Sequence, residues 1–532
     1  MNAFRKTVTT LLLGAMLTPC AAYAQASKAL KKEAEAKVDA QAKDVQVMVD
    51  QVFSFAEPGF QEVRTSAYLA DTLEKAGFTV QRGVAGIPTA FTATWGSGDP
   101  LIALGSDIDG LLGVSQYPGV AQAKAMVEGA PGHGEGHNAG LPLVIAAAIA
   151  AKTVMEKHKI PGRLMVWPGV AEELLATKAY YVRAGLFKDV DACIFTHVSS
   201  DFATGYGDFG MNGMVSVEYK FHGKTAHSAG MPWEGRSALD AVELMDTAWN
   251  MRREHLPVTQ RSHYVITDGG GQPNIVPATA SVWYYFRDRS FGAIKTMFEM
   301  GNSMSEAAAQ ATGTTVTHQV LGYAAPNFGN KPMAEAAQAN IAAVGMPRWD
   351  ANDQAFAKAI QTANQRKVEP LKVKVGDLST PENRPQSIGG GSDDIGDIMW
   401  TVPTITIRFP SNVPNMIGHH LTAAMAMATP IAHKGAVAGA KAVAMTVLDL
   451  MTTPKLLAES KRYFRDVQLK TDTYAPLIGP DDKPAIWLNA KIMREMRPQL
   501  EQYYYDPARY PSYLDQLGIT YPAGAVATPP AG

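Results

Sequence analysis

Three side chains able to ligate a metal stand two apart in Pro131-Gly-His-Gly-Glu-Gly-His-Asn-Ala-Gly140: His133, Glu135 and His137, with one glycine between each pair. In an extended backbone alternate residues share a side. The spacing therefore predicts that all three face the same way, with glycines free to bend the chain round a small object. Imidazole together with carboxylate suits Zn, Mn, Co or Ni. The remaining ligands must come from elsewhere, and the candidates are Asp107 and Asp109, Glu172-Glu173, His197, and one of His419 and His420. Adjacent carboxylates such as Glu172 and Glu173 can divide the labour. One ligates a metal, and the other takes a proton from a water that the metal has acidified to about neutrality.

These residues are far apart in the chain, so secondary structure has to gather them. Apolar residues at Val63, Leu69 and Leu73, ending at Gly77, predict an amphipathic helix over 62–76 with a glycine cap. Short apolar runs predict strands over 78–80, 89–95, 101–104, 163–167 and 192–196, with helices over 141–154 and 174–184. Strands alternating with helices indicate an α/β domain with a largely parallel sheet. In such sheets ligands collect at the carboxyl ends of the strands. Asp107 and Asp109, Glu172 and Glu173, and His197 each follow a different predicted strand. From 213 the rhythm changes to a compact α+β unit: a strand over 214–221, a loop over 223–230, helices over 237–251 and 293–311, and a strand over 280–287. Helix and strand patterning then resumes with helices over 332–344, 394–400 and 434–450 and a strand over 403–407. This divides the chain into a catalytic domain in two parts, 25–212 and 323–451, an inserted unit over 213–322, and a polar, Tyr/Pro-rich extension over 452–532. Residues 26–43, rich in Ala, Lys and Glu, read as a solvated helical lead-in.

Among 532 residues, 48 basic side chains balance 50 acidic ones and no basic run occurs, which excludes nucleic acid as a partner class. Arg5 and Lys6, the apolar stretch 8–17, Pro19 and Ala22-Tyr23-Ala24 form a secretory leader, 1–24, cleaved after Ala24. The stretch is too short to span a bilayer, so a secreted or periplasmic protein without membrane attachment is expected. Cys20 leaves with the leader, and Cys193 alone cannot form an intrachain disulfide; its apolar surroundings suit a buried structural thiol. No Gly-x-Ser-x-Gly elbow is present. The glycine triplets 269–271 and 389–391 lack the Lys-Ser/Thr ending of a phosphate loop and read as turns, with Ser392 or Asp393 capping the next helix.

The order of Gly105-Ser-Asp-Ile-Asp109, Gly132-His-Gly-Glu-Gly-His-Asn138, Ala171-Glu-Glu173, Thr196-His197, Gly223-Lys-Thr-Ala-His-Ser228, Pro273-Asn-Ile-Val-Pro277 and Gly418-His419 resembles the two-metal aminoacylase/carboxypeptidase family of metallopeptidases. Within it the chain is similar to the amidohydrolase branch that includes aminobenzoyl-glutamate hydrolase and indole-acetyl-amino-acid hydrolases. The resemblance spans roughly 45–451. It implies a zinc-exopeptidase-like mixed, largely parallel sheet with helices on both faces, plus an inserted α+β lid that serves as a dimerisation domain. It also implies two divalent ions, Zn, Mn or Co, on Glu135, His137, Glu173, His197 and His419, with Asp109 as the supporting carboxylate and Glu172 as the general acid/base. His227 falls on a histidine that reaches a neighbouring subunit's site to stabilise the oxyanion, and Asn274 and Arg287 on substrate-holding positions. The implied activity is hydrolysis of an N-acyl amino acid, aromatic acyl groups included, by a homodimer acting on a small-molecule amide. A dipeptidase or carboxypeptidase of the same family, and a binding protein that keeps the fold without catalysis, are the alternatives. One departure stands out: the branch usually has cysteine where this chain has Glu135. A carboxylate in that place is harder and shifts metal preference toward oxygen-rich coordination.

Overall fold

The strands form where apolar, β-branched and aromatic residues run together or alternate. The computed structural model describes residues 26–522, apart from residue 176 and residues 386–389. In chain order the strands are β1 (Thr79–Arg82), β2 (Phe91–Ser97), β3 (Leu101–Asp107), β4 (Gly162–Gly169), β5 (Ala192–Ser199) and the short β6 (Gly207–Asp208). They continue with β7 (Gly213–His222), β8 (Arg261–Asp268), β9 (Thr279–Asp288), β10 (Thr315–Ala324), the short β11 (Phe328–Gly329) and β12 (Thr404–Pro410). The larger sheet runs β1-β2-β4-β3-β5-β12. Its β3, β4, β5 and β12 are parallel, and β1 and β2 pair antiparallel at one side. Every residue of β3 is buried, as expected of a central parallel strand.

Helices Gly140–His158 and Pro430–Thr452 pack against this sheet and against each other. Both are apolar almost all round, the pattern of a core helix, and each buried Leu, Ile or Val contributes about 1.5–3 kcal/mol. Pro430–Thr452 has the length and apolarity of a membrane span, but most of it is buried inside the molecule. Helix Gly140–His158 begins hard against the end of β3, where a Cβ on Gly140 would lie 1.9 Å from Ser106 Oγ. That close approach fixes the glycine-rich loop at the carboxyl edge of the sheet.

The inserted unit is an antiparallel sheet, β10-β7-β9-β8, with helices Ala238–Arg253 and Phe291–Thr312 packed on it. Its core is aromatic: Trp249 meets Phe286 at 4.6 Å and Tyr284 stacks on Phe286 at 5.2 Å.

Several expectations are corrected. The lead-in is helical, as expected, but solvated on one face only. Helix Lys28–Ala40 buries Ala34 and Val38 and packs on helices Gly140–His158 and Pro430–Thr452. Its Lys31 ammonium reaches Asp449 at 2.8 Å and Asn340 at 2.7 Å, so a residue that reads as surface charge is an internal tie. The helix predicted over 174–184 is a single turn, Glu172–Leu174, followed by the short helix Lys178–Arg183. Strands β8 and β10 and the helix Ala351–Ala363 have no counterpart among the predicted elements; the strands are half exposed and carry too many polar residues to stand out. Helix Ile395–Met399 follows Asp393, whose Oδ1 accepts the Ile395 N–H at 2.9 Å. The extension supplies helices Pro454–Asp466 and Ala490–Leu500 and ties back to the N-terminal helices. Arg497 pairs with Glu57, and the Tyr513 N–H donates to Asp50 at 3.2 Å. The leader, 1–24, and residues 529–532 lie outside the described residues.

Candidate metal centre and active site

Four parallel strands deliver the site. The chain leaves β3 through Asp107 and Asp109, and it leaves β4 through Glu172 and Glu173. His197 stands within the last residues of β5 rather than beyond it. His419 arrives from the loop after β12, and Glu135 and His137 from the loop before helix Gly140–His158.

At the centre, Glu135 lies between two imidazoles, with Oε2 at 2.7 Å from His419 Nε2 and Oε1 at 3.5 Å from His197 Nε2. Glu173 Oε2 is 3.5 Å from the same His419 nitrogen, and its Oε1 is 3.9 Å from His137 Nδ1. Asp109 ties this group together: Oδ2 accepts the Glu173 N–H at 3.0 Å, and Oδ1 lies 3.4 Å from His137 Nδ1. The His137 and His197 rings sit edge to face at 5.6 Å. His197 Nδ1 is 3.0 Å from the Val198 carbonyl, which fixes the proton on Nδ1 and turns the Nε2 lone pair toward Glu135.

His133 departs from its expected direction. It is buried with Nε2 at 3.1 Å from the Val52 carbonyl, beside Phe53, and is not part of this group. The alternation fails between His133 and Glu135, ahead of the turn at Gly136, whose φ of +108° only glycine adopts easily and where a Cβ would strike Met427. Of the two neighbouring histidines, His419 joins the cluster. His420 instead accepts the Thr422 N–H at the start of a short helix.

The donor set fits a metal. Ligand atoms of Glu135, Glu173 and His419 lie within 4.8 Å of one another, and so do those of Asp107, His137 and Glu172. Buried polar atoms here lack hydrogen-bond partners among the described residues: Asp109 Oδ1, both nitrogens of His137, Glu173 Oε2 and Asp107 Oδ2. Unpaired buried groups of that kind are costly, and inward-facing lone pairs on N and O donors are what a divalent cation satisfies.

Electrostatics point the same way. Burial, aided by Asp107, Asp393 and Glu173, pushes Glu172 well above the usual carboxylate range, against the pull of Lys178. Burial with Glu135 and Asp109 close by takes Glu173 up to about 8, although His137 opposes it. Glu135 goes the other way: burial would raise it, but the His419 hydrogen bond and the charges of His197 and His137 hold it below its ordinary value.

The backbone of the turn that bears Glu172 and Glu173 is held under strain. Ala171 and Leu175, flanking the turn that bears Glu172 and Glu173, adopt left-handed φ of 53° and 52°. Such residues cost about 1–3 kcal/mol each and persist only where surroundings impose them. Buried Glu62 does so on one side, accepting the Ala171 N–H at 2.8 Å and the Thr89 hydroxyl at 2.9 Å. On the other, Asp394 accepts the Thr177 and Lys178 N–H groups at 3.1 and 3.2 Å. The fully buried Lys178 ammonium then joins Asp394 to Asp107, 2.6 Å away. Sequence reasoning misses Lys178, Asp394 and Glu62 as site residues, and it places Asp107 only as a candidate, by its position beside Asp109 at a strand end.

The lid contributes Arg287 of β9, whose guanidinium lies over Tyr285 at 5.1 Å and within electrostatic reach of Glu172. Its Nη1 is 3.2 Å from Ser392 Oγ, and its Nε has no partner among the described residues. His227 and Asn274 adjoin each other on the lid, with the Ser228 N–H bonded to the Asn274 carbonyl at 3.1 Å. Neither forms a hydrogen bond or ion pair with the cluster among the described residues. His227 Nδ1 accepts the Ala229 and Gly230 N–H groups, both at 3.1 Å, so its proton sits on exposed Nε2.

Comparison with known proteins adds four findings. The peptidase dimerisation domain family matches residues 209–311. The chain is 34% identical over 450 residues to one of the subunits of p-aminobenzoyl-glutamate hydrolase from Escherichia coli (strain K12), covering 80% of this chain and 92% of that one. It is 28% identical over 443 residues to Xaa-Arg dipeptidase of Mus musculus, covering 82% and 92%. Among solved structures, an aminobenzoyl-glutamate utilization protein from Klebsiella pneumoniae superposes with a TM-score of 0.52 at 15% identity, over 79% of this chain and 98% of that one.

Proposed function

The chain belongs to the M20 peptidase family, in its p-aminobenzoyl-glutamate hydrolase-like branch, and is a hydrolase of amide bonds; from that premise we propose that it cleaves an N-acyl amino acid, aromatic acyl groups included, with two divalent metal ions. The observation that carries this reading is the placement of buried Glu172 beside a cluster of N and O donors at the ends of four strands.

Glu135, His137, Glu173, His197 and His419 would hold two ions of Zn, Mn or Co, which when bound supply Lewis acidity to the amide carbonyl and to the attacking water. The chain's own groups do the rest. Glu172 takes the proton of the attacking water and returns it to the amine nitrogen as the C–N bond breaks, regenerating its carboxylate. Asp109 keeps His137 and the Glu173 backbone in register. Arg287 holds the substrate's carboxylate with a guanidinium fork. Asn274 steadies the substrate's backbone, and His227 offers Nε2–H to the oxyanion from a partner protomer's lid.

The test is a chelated protein reloaded with Zn, Mn or Co and assayed on a panel of N-acyl amino acids and dipeptides. Turnover of the N-acyl amino acids with at least one metal, and none after chelation, is expected. A panel silent with every metal ends the reading.

The homodimer is part of the same proposal. Strand β8 is an edge strand of the lid sheet with Val265 and Ile266 exposed, and Leu244 and Met251 are exposed on helix Ala238–Arg253. An apolar, unpaired edge invites a second copy. Ile266→Lys is expected to shift the mass in light scattering from dimer to monomer and to remove most of the activity with it, because His227 then has no neighbouring site to serve. A monomer of full activity would contradict this.

The leader pattern 1–24 supports export, which a comparison of cell fractions against a leaderless version would check.

A further inference from the structure

One short segment, residues 390–400, touches both connections between the lid and the rest of the chain. The chain enters the lid through residues 209–212 and leaves it through 325–327. On the entry side, the Asn212 N–H and side-chain amide donate to the Gly391 and Gly390 carbonyls at 3.1 and 2.9 Å. On the exit side, the Ala325 N–H donates to Asp397 Oδ2 at 3.4 Å, and the Trp400 indole N–H to the Pro326 carbonyl at 2.7 Å. Gly396 packs so closely on the exit that a Cβ there would lie 1.9 Å from the Ala325 carbonyl oxygen. Contacts this tight transmit any shift of helix Ile395–Met399 to the exit linker. The same helix follows Asp394, which accepts the Thr177 and Lys178 N–H groups and so anchors the turn that bears Glu172. The C-terminal extension holds this helix from outside. Asp397 is fully buried, and its Oδ1 accepts the Tyr474 hydroxyl at 2.8 Å. The Tyr474 ring also lies edge-on to Phe291, the first residue of the lid helix Phe291–Thr312, at 6.3 Å. Without that hydroxyl, Asp397 keeps among the described residues only the long bond from Ala325.

We propose that Tyr474 is a positioning residue for the hydrolytic reaction. Through Asp397 it fixes helix Ile395–Met399, and with it the exit linker of the lid and the turn that carries Glu172, in one arrangement. The base stands on the catalytic domain and Arg287 on the lid, so the two must keep their relative places. A misplacement of about 1 Å, caused far from the chemistry, can cost on the order of 10²-fold in rate. The extension thereby serves the reaction without reaching the metal-ligand cluster. The effect on rate rests on the amidohydrolase reading; the effect on structure does not.

Hydrogen exchange read by mass spectrometry on metal-loaded wild type, Tyr474→Phe and Tyr505→Phe tests it without turnover. Tyr505 donates its hydroxyl to the Tyr510 carbonyl at 3.0 Å, within the extension itself, and so controls for the loss of one hydrogen bond there. Tyr474→Phe is expected to speed exchange about tenfold at the amides of Thr177, Lys178 and Ala325, the cost of one buried acceptor left unpaired. Tyr505→Phe should leave those amides at the wild-type rate. On an N-acyl amino acid, Tyr474→Phe should lower kcat about tenfold at unchanged metal content, with the larger share of the loss in kcat rather than KM. Tyr505→Phe should keep the wild-type kcat. Unchanged exchange at the three amides in Tyr474→Phe, equal changes in both variants, or a loss confined to KM overturns the proposal. If the wild type cleaves no amide, the amidohydrolase reading fails, and faster exchange at the three amides in Tyr474→Phe alone still supports the tie through Asp397.

Discussion

Glu172→Gln is expected to lower kcat by about 10²- to 10⁴-fold, the range that a positioned general acid/base supplies. The change is isosteric and removes only the proton-accepting oxygen. Glu172 is 6% exposed, on a turn whose geometry is set by Ala171, Leu175 and the Glu62 clamp, so glutamine can occupy the same place. Its surroundings suit a base that must hold a proton and release it. Burial and three neighbouring carboxylates raise its proton affinity, while buried Lys178 keeps the group from being overwhelmed by negative charge. Metal content and melting temperature should match the wild type within error. A Glu172→Gln protein that keeps its full rate would remove Glu172 from the mechanism, and one that loses metal would recast it as a ligand.

The second large effect belongs to Glu135. Its two oxygens face two histidines, 2.7 Å from His419 and 3.5 Å from His197, so one side chain links ligands delivered by the neighbouring strands β5 and β12. Glu135→Ala would leave those imidazoles facing one another across the gap. Mutating partners outside a ligand set costs about 10- to 100-fold in metal affinity; loss of the shared carboxylate should exceed that, with activity falling in proportion to bound metal. Glu135→Cys separates geometry from chemistry. A thiolate in the same position should keep metal but move the preference from Mn toward Zn. Elemental analysis after dialysis against mixed metals reads both outcomes, and an alanine variant that retains the full metal complement would contradict the bridging role.

Much of this site is legible in the sequence because strand ends leave a local trace. The apolar runs before Asp107, Glu172 and His197 mark the parallel strands, and the rule that ligands gather at their carboxyl ends does the assembling. His419 requires the resemblance, since neither its own run nor its spacing separates it from His420. What stays hidden depends on contacts between distant segments. Lys178 and Asp394 are 216 residues apart and meet only because helix Lys178–Arg183 and helix Ile395–Met399 are neighbours in the fold. Glu62 clamps a backbone amide 109 residues away. The alternation misdirects His133, whose Nε2 lies against the Val52 carbonyl 81 residues away in the chain.

The most direct test of the account is a metal titration of chelated protein, followed by hydrolysis of an N-acyl amino acid at each loading. Activity should be absent at zero metal and rise to a plateau as the second equivalent per chain is bound, with calorimetry placing both ions before saturation. Undiminished hydrolysis by protein shown by elemental analysis to be metal-free would contradict the central claim that this cluster is a two-metal hydrolytic centre.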